Sequence, residues 1–390
     1  MKNVGNWSKI KQLMNRATAG ESVTIGFIGG SITQGAAASD ESLCYAARVY
    51  GWWKKSFPQS QVSYVNAGIG ATTSQFGAAR IVDDLLVHNP DFVIVEYSVN
   101  DNDEKPYNRA DLFLETYEGV IRKICSHNSD CAILIVHSVR YDDGSSMEDY
   151  HVKIGRHYDI PCISMKEEIY DKVLAGRTNY AFDDITQDML HPNDYGHSIV
   201  ASVITDYMDK VRLSDEKYNS DNDVIPTPLT INSYECVKRY NNSNISPKCN
   251  GFVADCAEQM QPFGICIYDE DTSDVSEDVV LSSGVRDVFK HGWRANASGS
   301  DIVFELEGGE IALMYRKSVV KPAPVAYAIL DGDEAGRIRL DANFDETWGD
   351  KAYMTTILHH GEDRIHTLRV VIDEADDCAA DFYLISVLAK

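Results

Sequence analysis

Val23-Thr24-Ile25-Gly26-Phe27-Ile28-Gly29-Gly30-Ser31-Ile32-Thr33-Gln34-Gly35 decides how the rest of this chain is read. Its first six residues form a short, almost purely apolar run; two glycines break it, and one serine stands before a further glycine. An apolar run of that length bounded by glycines reads as a strand buried on both faces, as in a parallel sheet. A serine just past the carboxyl end of such a strand stands where doubly wound sheets hold their ligands. The backbone around it can turn N–H groups toward a reacting oxygen. Ser31 is therefore the first candidate nucleophile.

The same rhythm continues outward from it. Val62–Val65, Phe92–Glu96, Ala132–His137 and Cys162–Ser164 predict further short buried strands, with Val23–Ile28 the first of the set. Between them, Leu43–Ser56, Ser74–His88, Asn108–His127, Met147–Tyr158 and Lys166–Leu174 carry apolar residues at helical spacing, and Tyr195–Val211 closes the series as a helix. Alternating strands and helices argue for an open, doubly wound parallel sheet. The rhythm stops near Leu213, and Ser214–Thr227 is polar, charged and proline-bearing, as a linker is. Beyond it, Ile302–Leu306, Ile311–Tyr315, Val325–Leu330, Thr355–His359, Thr367–Ile372 and Phe382–Leu388 are short apolar or alternating runs separated by Asp, Gly and Asn. They predict an all-β sandwich. The expected division is thus a first domain over 1–213, a linker over 214–227 and a β-domain over 228–390, and 390 residues are enough for two cores.

Composition narrows the partners. The net charge is −24, from 36 basic and 60 acidic residues. Such a field repels phosphate backbones and anionic lipid, so neither nucleic acid nor a membrane surface is expected as a partner. A neutral substrate fits better. The amino-terminal stretch Met1–Trp7 lacks an apolar signal segment, and no later run is long enough to span a bilayer. Nine cysteines fall without a Cys-x-x-Cys pair, as free thiols in a reducing compartment would, so a cytoplasmic location is the expectation.

Four separate pieces of the first domain fall at predicted strand ends or just before the last helix. Ser31 follows the first strand, Asn66–Ser74 the second, and Ser98-Val99-Asn100-Asp101 the third; Asp188-Met189-Leu190-His191-Pro192 precedes the final helix. In a doubly wound sheet all four can meet at one edge. Acyl transfer needs a nucleophile, a base, a group that orients the base, and donors for the oxyanion. Ser31 can be the nucleophile and His191 the base, while Asp188, three residues earlier, can fix the tautomer of His191. The oxyanion donors are then the Ser31 N–H, the N–H of Gly70 or Ala71, and the side-chain amide of Asn100.

On these residues the chain resembles the SGNH (GDSL-like) hydrolases. Their four motif blocks occur in order as Gly-Gly-Ser31-Ile-Thr, Asn66-Ala-Gly-Ile-Gly70, Val99-Asn100-Asp101 and Asp188-x-x-His191-Pro, within roughly residues 20–212. The resemblance implies a flavodoxin-like fold, no metal or cofactor, Ser31, Asn100 and His191 as catalytic groups, and Asp188 as the orienting acid. Many members read Gly-Asp-Ser where this chain has Gly30 before Ser31, a departure that looks like the carbohydrate-esterase side of the family. Where a glycine often precedes the Thr-Thr-Ser turn, this chain has Ala71, and alanine tolerates positive φ poorly. Gly308-Gly309-x-Ile311, Leu330-Asp331-Gly332, Trp348-Gly349 and His366-Thr367-Leu368 resemble the sandwich domains of two-domain acetylesterases such as carbohydrate esterase family 17, with a carbohydrate-binding-module-like (jelly-roll) partner. What this implies is a serine esterase that removes O-acetyl groups from mannan- or xylan-derived oligosaccharides, the β-domain helping to hold the sugar.

Other side chains carry two readings. His137, with Ser138 and Arg140 at the end of the fourth strand, is either a substrate contact or a buried strand-end histidine. His197 reads as a packing residue, and Asp101 and Asp103 as solvated or capping residues. Trp52, Trp53, Trp293 and Trp348 are candidate sugar platforms, though each is more often core than platform; Trp348, in a polar stretch beside Glu346 and Gly349, is the one to test. No cluster has metal-ligand spacing. The same triad also serves lysophospholipases and acyl-thioesterases, and a sugar-binding protein with a vestigial hydrolase domain is the non-catalytic alternative.

Overall fold

Apolar runs flanked by glycine and asparagine give the first half of the chain its strands. The computed structural model describes residues 5–103, 110–215, 224–255, 289, 291–346 and 348–390. Helix α1 (Ser8–Thr18) buries Ile10, Leu13, Met14 and Ala17 on one face. It leads into β1 (Val23–Gly29), then the single turn α2 (Ser31–Gln34), α3 (Tyr45–Ser56), β2 (Val62–Gly68), α4 (Ser74–Asp84), β3 (Phe92–Glu96) and α5 (Ser98–Asp103). After these come α6 (Ala110–His127), β4 (Ala132–His137), α7 (Glu148–His157), β5 (Cys162–Ser164), the short α8 (Asp171–Leu174) and α9 (Phe182–Ile185), and the long α10 (Asp194–Leu213).

The five strands form one parallel sheet in the order β2-β1-β3-β4-β5. Every residue of β3 and β4 is buried, as expected where helices cover both faces. In this order the winding direction reverses between β1 and β3, and such a switch point opens a crevice at the strands' carboxyl ends. Ser31 follows β1 and α5 follows β3, so both sides of that crevice carry candidate residues.

The element ends have local causes. Helix α3 starts at Tyr45, after the expected Leu43, because Cys44 caps it and its Sγ accepts the Ala47 N–H at 3.4 Å. The helix expected from Asn108 is described from Ala110 on; Asn108 itself lies outside the described residues. The span expected to be one helix over Lys166–Leu174 is a π turn at Lys166–Tyr170 continued by α8. Asn193 caps α10 by accepting the N–H groups of Tyr195 and Gly196, each at 3.0 Å.

Contacts divide the chain between Glu235 and Cys236, later than the expected domain start at 228. Residues 229–235 stay with the first unit because buried carboxylates of α6 hold them. Glu118 accepts the N–H groups of Leu229 (2.6 Å) and Thr230 (2.8 Å), and Glu115 accepts that of Ser233 (2.8 Å). Part of the expected linker, 216–223, lies outside the described residues.

The second unit is antiparallel throughout its named strands. Its strands are β6 (Lys238–Tyr240), β7 (Lys248–Asn250), β8 (Val253–Ala254), β9 (Trp293–Ala295), β10 (Asp301–Glu307), β11 (Ile311–Lys317), β12 (Val325–Leu330), β13 (Ile338–Asp341), β14 (Lys351–Leu358), β15 (Ile365–Glu374) and β16 (Phe382–Ala389). One sheet runs β13-β12-β15-β10-β7 and the other β14-β11-β16-β9-β8, with β6 also paired to β16. Alternate residues of β10 (Ile302, Phe304, Leu306) and β15 (Leu368, Val370, Ile372) turn inward and meet Leu313, Tyr315, Phe382 and Leu384 of the other sheet in one core. This is the two-layer packing of a sandwich.

Candidate active site

Gly29 and Gly30 end β1, and the chain turns at once into α2, so Ser31 begins a helical turn directly above the sheet edge. Its N–H, first in that turn, has no helical acceptor and faces outward from the helix start. The turn stops at Gly35, which takes the left-handed conformation (φ 107°).

The second element is the loop between α9 and α10. An isolated bridge between Thr186 and Pro192 pinches it closed, and Met189 inside it adopts φ 59°. That fold wraps the backbone around Asp188, whose Oδ1 accepts the N–H groups of Leu190 (2.9 Å) and His191 (2.7 Å) and the Thr186 hydroxyl (3.1 Å). The other oxygen, Oδ2, lies 2.6 Å from His191 Nδ1. The far nitrogen, His191 Nε2, lies 2.8 Å from Ser31 Oγ. Hydroxyl, imidazole and carboxylate thus stand in one line, and both Ser31 and His191 are buried. Burial pushes the Asp188 carboxyl up, but the hydrogen bond and charge of His191, with the two backbone N–H groups, outweigh this and hold it at about 2. An ionised carboxylate on Nδ1 keeps the proton there and leaves Nε2 to accept one from the serine.

The third element is the loop after β2. Gln34 Oε1 accepts the Gly70 N–H at 2.6 Å, so that amide is engaged. Ala71 takes φ 53°, the left-handed region, and its N–H has no acceptor among the described residues. Of the two amides left open by the sequence, Ala71's is therefore the one available to a ligand. Asn66 braces the loop by donating its side-chain N–H to Thr33 O (2.8 Å) and accepting the Gly68 N–H (2.9 Å).

Asn100, on α5, lays its amide directly against Gly30. A β-carbon on Gly30 would stand 1.9 Å from Asn100 Oδ1 and 3.4 Å from Nδ2. The glycine before Ser31 thus has a steric reason: the space a side chain would need there is filled by the Asn100 amide.

Several expected roles change. His137 is fully buried, its ring centroid 6.1 Å from that of buried His151, so it has no surface with which to touch a substrate. Asp101 is not solvated but wholly buried, and of the two expected readings the capping one holds: Oδ1 accepts the N–H of Ser74, the first residue of α4 (2.8 Å), and Oδ2 lies 3.0 Å from His151 Nε2. Burial raises its pKa to about 8 and lowers that of His151 to about 3, so the pair avoids carrying separated charges. Asp103 pairs with Arg140 (3.1 Å), which also binds Asp142 (2.9 Å). His197 keeps its expected role as a packing and hydrogen-bonding residue, between the Tyr45 N–H (3.2 Å) and Ala36 O (3.0 Å). Trp53 and Trp293 are core, and Trp52 packs on Trp53 and Phe57. Trp348 is half-buried in the second unit, set edge-on to Phe344 and donating its Nε1–H to Glu346.

Sequence reasoning missed the parts played by Gln34 and His151, and it named Asp101 without its burial. Gln34 lies in the serine's own helical turn, and Asp101 directly follows Asn100; adjacency to the candidate groups was the available signal.

Comparison with known proteins gives this geometry its relatives. Residues 27–199 match the GDSL-like lipase/acylhydrolase family. Two crystal structures align with the whole chain at 46% identity, covering 96% of their own. One is described as a two-domain esterase (CEX) active on acetylated mannans (TM-score 0.88), the other as that esterase co-crystallized with mannopentaose (TM-score 0.87). Among curated proteins none matches the chain. With relatives of this identity over its full length and the family match across its parallel-sheet unit, the chain belongs to the GDSL-like lipase/acylhydrolase family.

Proposed function

We propose that this protein is a serine esterase that removes O-acetyl groups from mannan-derived oligosaccharides, with xylan-derived ones as the second substrate class. The observation that carries the reading is the unbroken line Ser31 Oγ, His191 Nε2, His191 Nδ1, Asp188 Oδ2, with contacts of 2.8 and 2.6 Å. Its support as a sugar deacetylase comes from the full-length likeness to an esterase described as active on acetylated mannans.

Ser31 Oγ attacks the acetyl carbonyl carbon while His191 Nε2 takes the hydroxyl proton. The imidazolium that forms faces the ionised Asp188, which lowers its energy. Negative charge grows on the carbonyl oxygen, and the Ser31 N–H, the Ala71 N–H and Asn100 Nδ2 receive it; each such donor is worth roughly a hundredfold to a thousandfold in rate. Collapse of the tetrahedral intermediate breaks the bond to the sugar oxygen, which leaves with the proton from His191. Water, deprotonated by the same histidine, then frees acetate and restores Ser31.

The sandwich unit is proposed to bind sugar, with the indole face of Trp348 as its platform, because a ring with one edge hydrogen-bonded and its body partly open suits a sugar face. The substrate reading is tested by mass spectrometry of acetylated manno- and xylo-oligosaccharides after incubation with the enzyme. Acetyl loss from the manno-series supports it, and an enzyme that hydrolyses 4-nitrophenyl acetate but leaves both series intact contradicts it.

A further inference from the structure

Asn100 and Ala71, two of the three proposed oxyanion donors, sit on different elements about thirty residues apart in sequence. Something must fix the distance between them to a few tenths of an ångström. The buried carboxyl group of Asp101 spans that gap. It follows Asn100 within α5, its own N–H donates to Tyr97 O (2.9 Å), and its Oδ1 accepts the N–H of Ser74, the first residue of α4. Ser74 is three residues past Ala71, so α4 begins where the donor loop ends.

The carboxyl group is itself held. His151 Nε2, from α7, meets Oδ2 at 3.0 Å, and the His151 ring stacks on Tyr117 of α6 at 3.7 Å between centroids and 12° between planes. Ser74 Oγ is tied to Thr116 Oγ1, also on α6, at 2.6 Å. On the other side, the Met147 N–H donates to Ser98 O (2.7 Å), anchoring the start of α5. All the groups named are buried, so no water competes for them.

We propose that Asp101, held by His151, is the positioning residue of the oxyanion hole: it clamps the turn that carries Asn100 to the start of α4 and so sets the spacing between the Asn100 and Ala71 donors. This rests on the serine-esterase reading above. Asp101 touches no reacting atom; it acts through its neighbour.

That difference gives the test. On 4-nitrophenyl acetate, Asp101→Ala lowers kcat about tenfold or more with KM within about twofold, because a misplaced donor weakens the transition state and not the ground state. In an Asn100→Ala background the donor is already gone, and adding Asp101→Ala lowers kcat by no more than about threefold. Asp101→Asn, which keeps an acceptor for the Ser74 N–H, recovers most of the rate. Should Asp101→Ala fail to fold, Ser74→Pro replaces it: proline is tolerated at the first helical position, and it deletes only the backbone donor of the clamp along with the hydroxyl. It is expected to show the same kcat loss and the same dependence on Asn100.

An equal fold-loss in both backgrounds, or a loss confined to KM, overturns the proposal and leaves Asp101 a purely structural residue. Asn100→Ala at wild-type rate, or Ser31→Ala with wild-type turnover, instead overturns the esterase reading beneath it.

Discussion

Replacing Ala71 with glycine should make the protein more stable without making it a worse enzyme. Ala71 holds φ 53°, where its β-carbon crowds the following carbonyl, at about 1–2 kcal/mol. Glycine has no such penalty but loses about 0.4–1 kcal/mol more chain entropy on folding. The methyl group is only half-buried, so its removal forfeits little packing. The balance is a gain of about 0.5–1 kcal/mol. For a unit of this size that raises Tm by about 1–4 °C. The N–H proposed to receive the oxyanion is untouched, so kcat on 4-nitrophenyl acetate stays within about twofold. Differential scanning calorimetry and a steady-state rate at one pH suffice. A fall in Tm for Ala71→Gly means that the loop does not hold residue 71 in the left-handed region, and the assignment of its amide to the oxyanion goes with it.

Gly30→Ala places a β-carbon where Asn100 Oδ1 now lies, and the amide must swing away; kcat should drop about a hundredfold while Tm changes by no more than a few degrees, read by kinetics and melting together. Asp188 has a folded pKa of about 2, below its unfolded value near 4. Its contribution to stability is therefore complete above about pH 4 and is lost as pH falls toward 2. Melts of the wild type and Asp188→Asn between pH 2.5 and 7 should converge at the acid end and separate above pH 4; parallel curves refute the shift. Trp348→Ala should weaken binding of manno-oligosaccharides about threefold to tenfold by isothermal titration, the share expected of one ring contact.

Much of the catalytic unit is legible in the sequence because its information is local. The strands β1, β3 and β4 are almost purely apolar runs, and helices alternate with them, which leaves a parallel sheet as the consistent solution. The proximity of Asp188 and His191 is legible for the same reason: three residues separate them, and one loop carries both. Contacts made by distant residues are not legible in this way. The burial of Asp101 depends on Ser74 from α4 and His151 from α7, and from the sequence an aspartate after an asparagine looks like a turn residue. The capture of the Gly70 amide depends on which way Gln34 points, and the need for Gly30 depends on the Asn100 rotamer. In the sandwich, strands of two to four residues such as β8, β9 and β13 are too short to show alternation, whereas β10 and β15 display it plainly. The tryptophans illustrate the limit well: Trp53 and Trp293 are core and Trp348 is partly open, a distinction set by tertiary packing.

That Ser31 accepts the acetyl group can be tested by catching that group in place. Enzyme turning over acetylated manno-oligosaccharide is quenched in acid, digested, and its peptides mapped by mass spectrometry. One acetyl group is expected on the peptide containing Ser31, present in the wild type and absent from Ser31→Ala and His191→Ala. Acetate release by the wild type with no acetyl on that peptide, and undiminished release by Ser31→Ala, contradicts it.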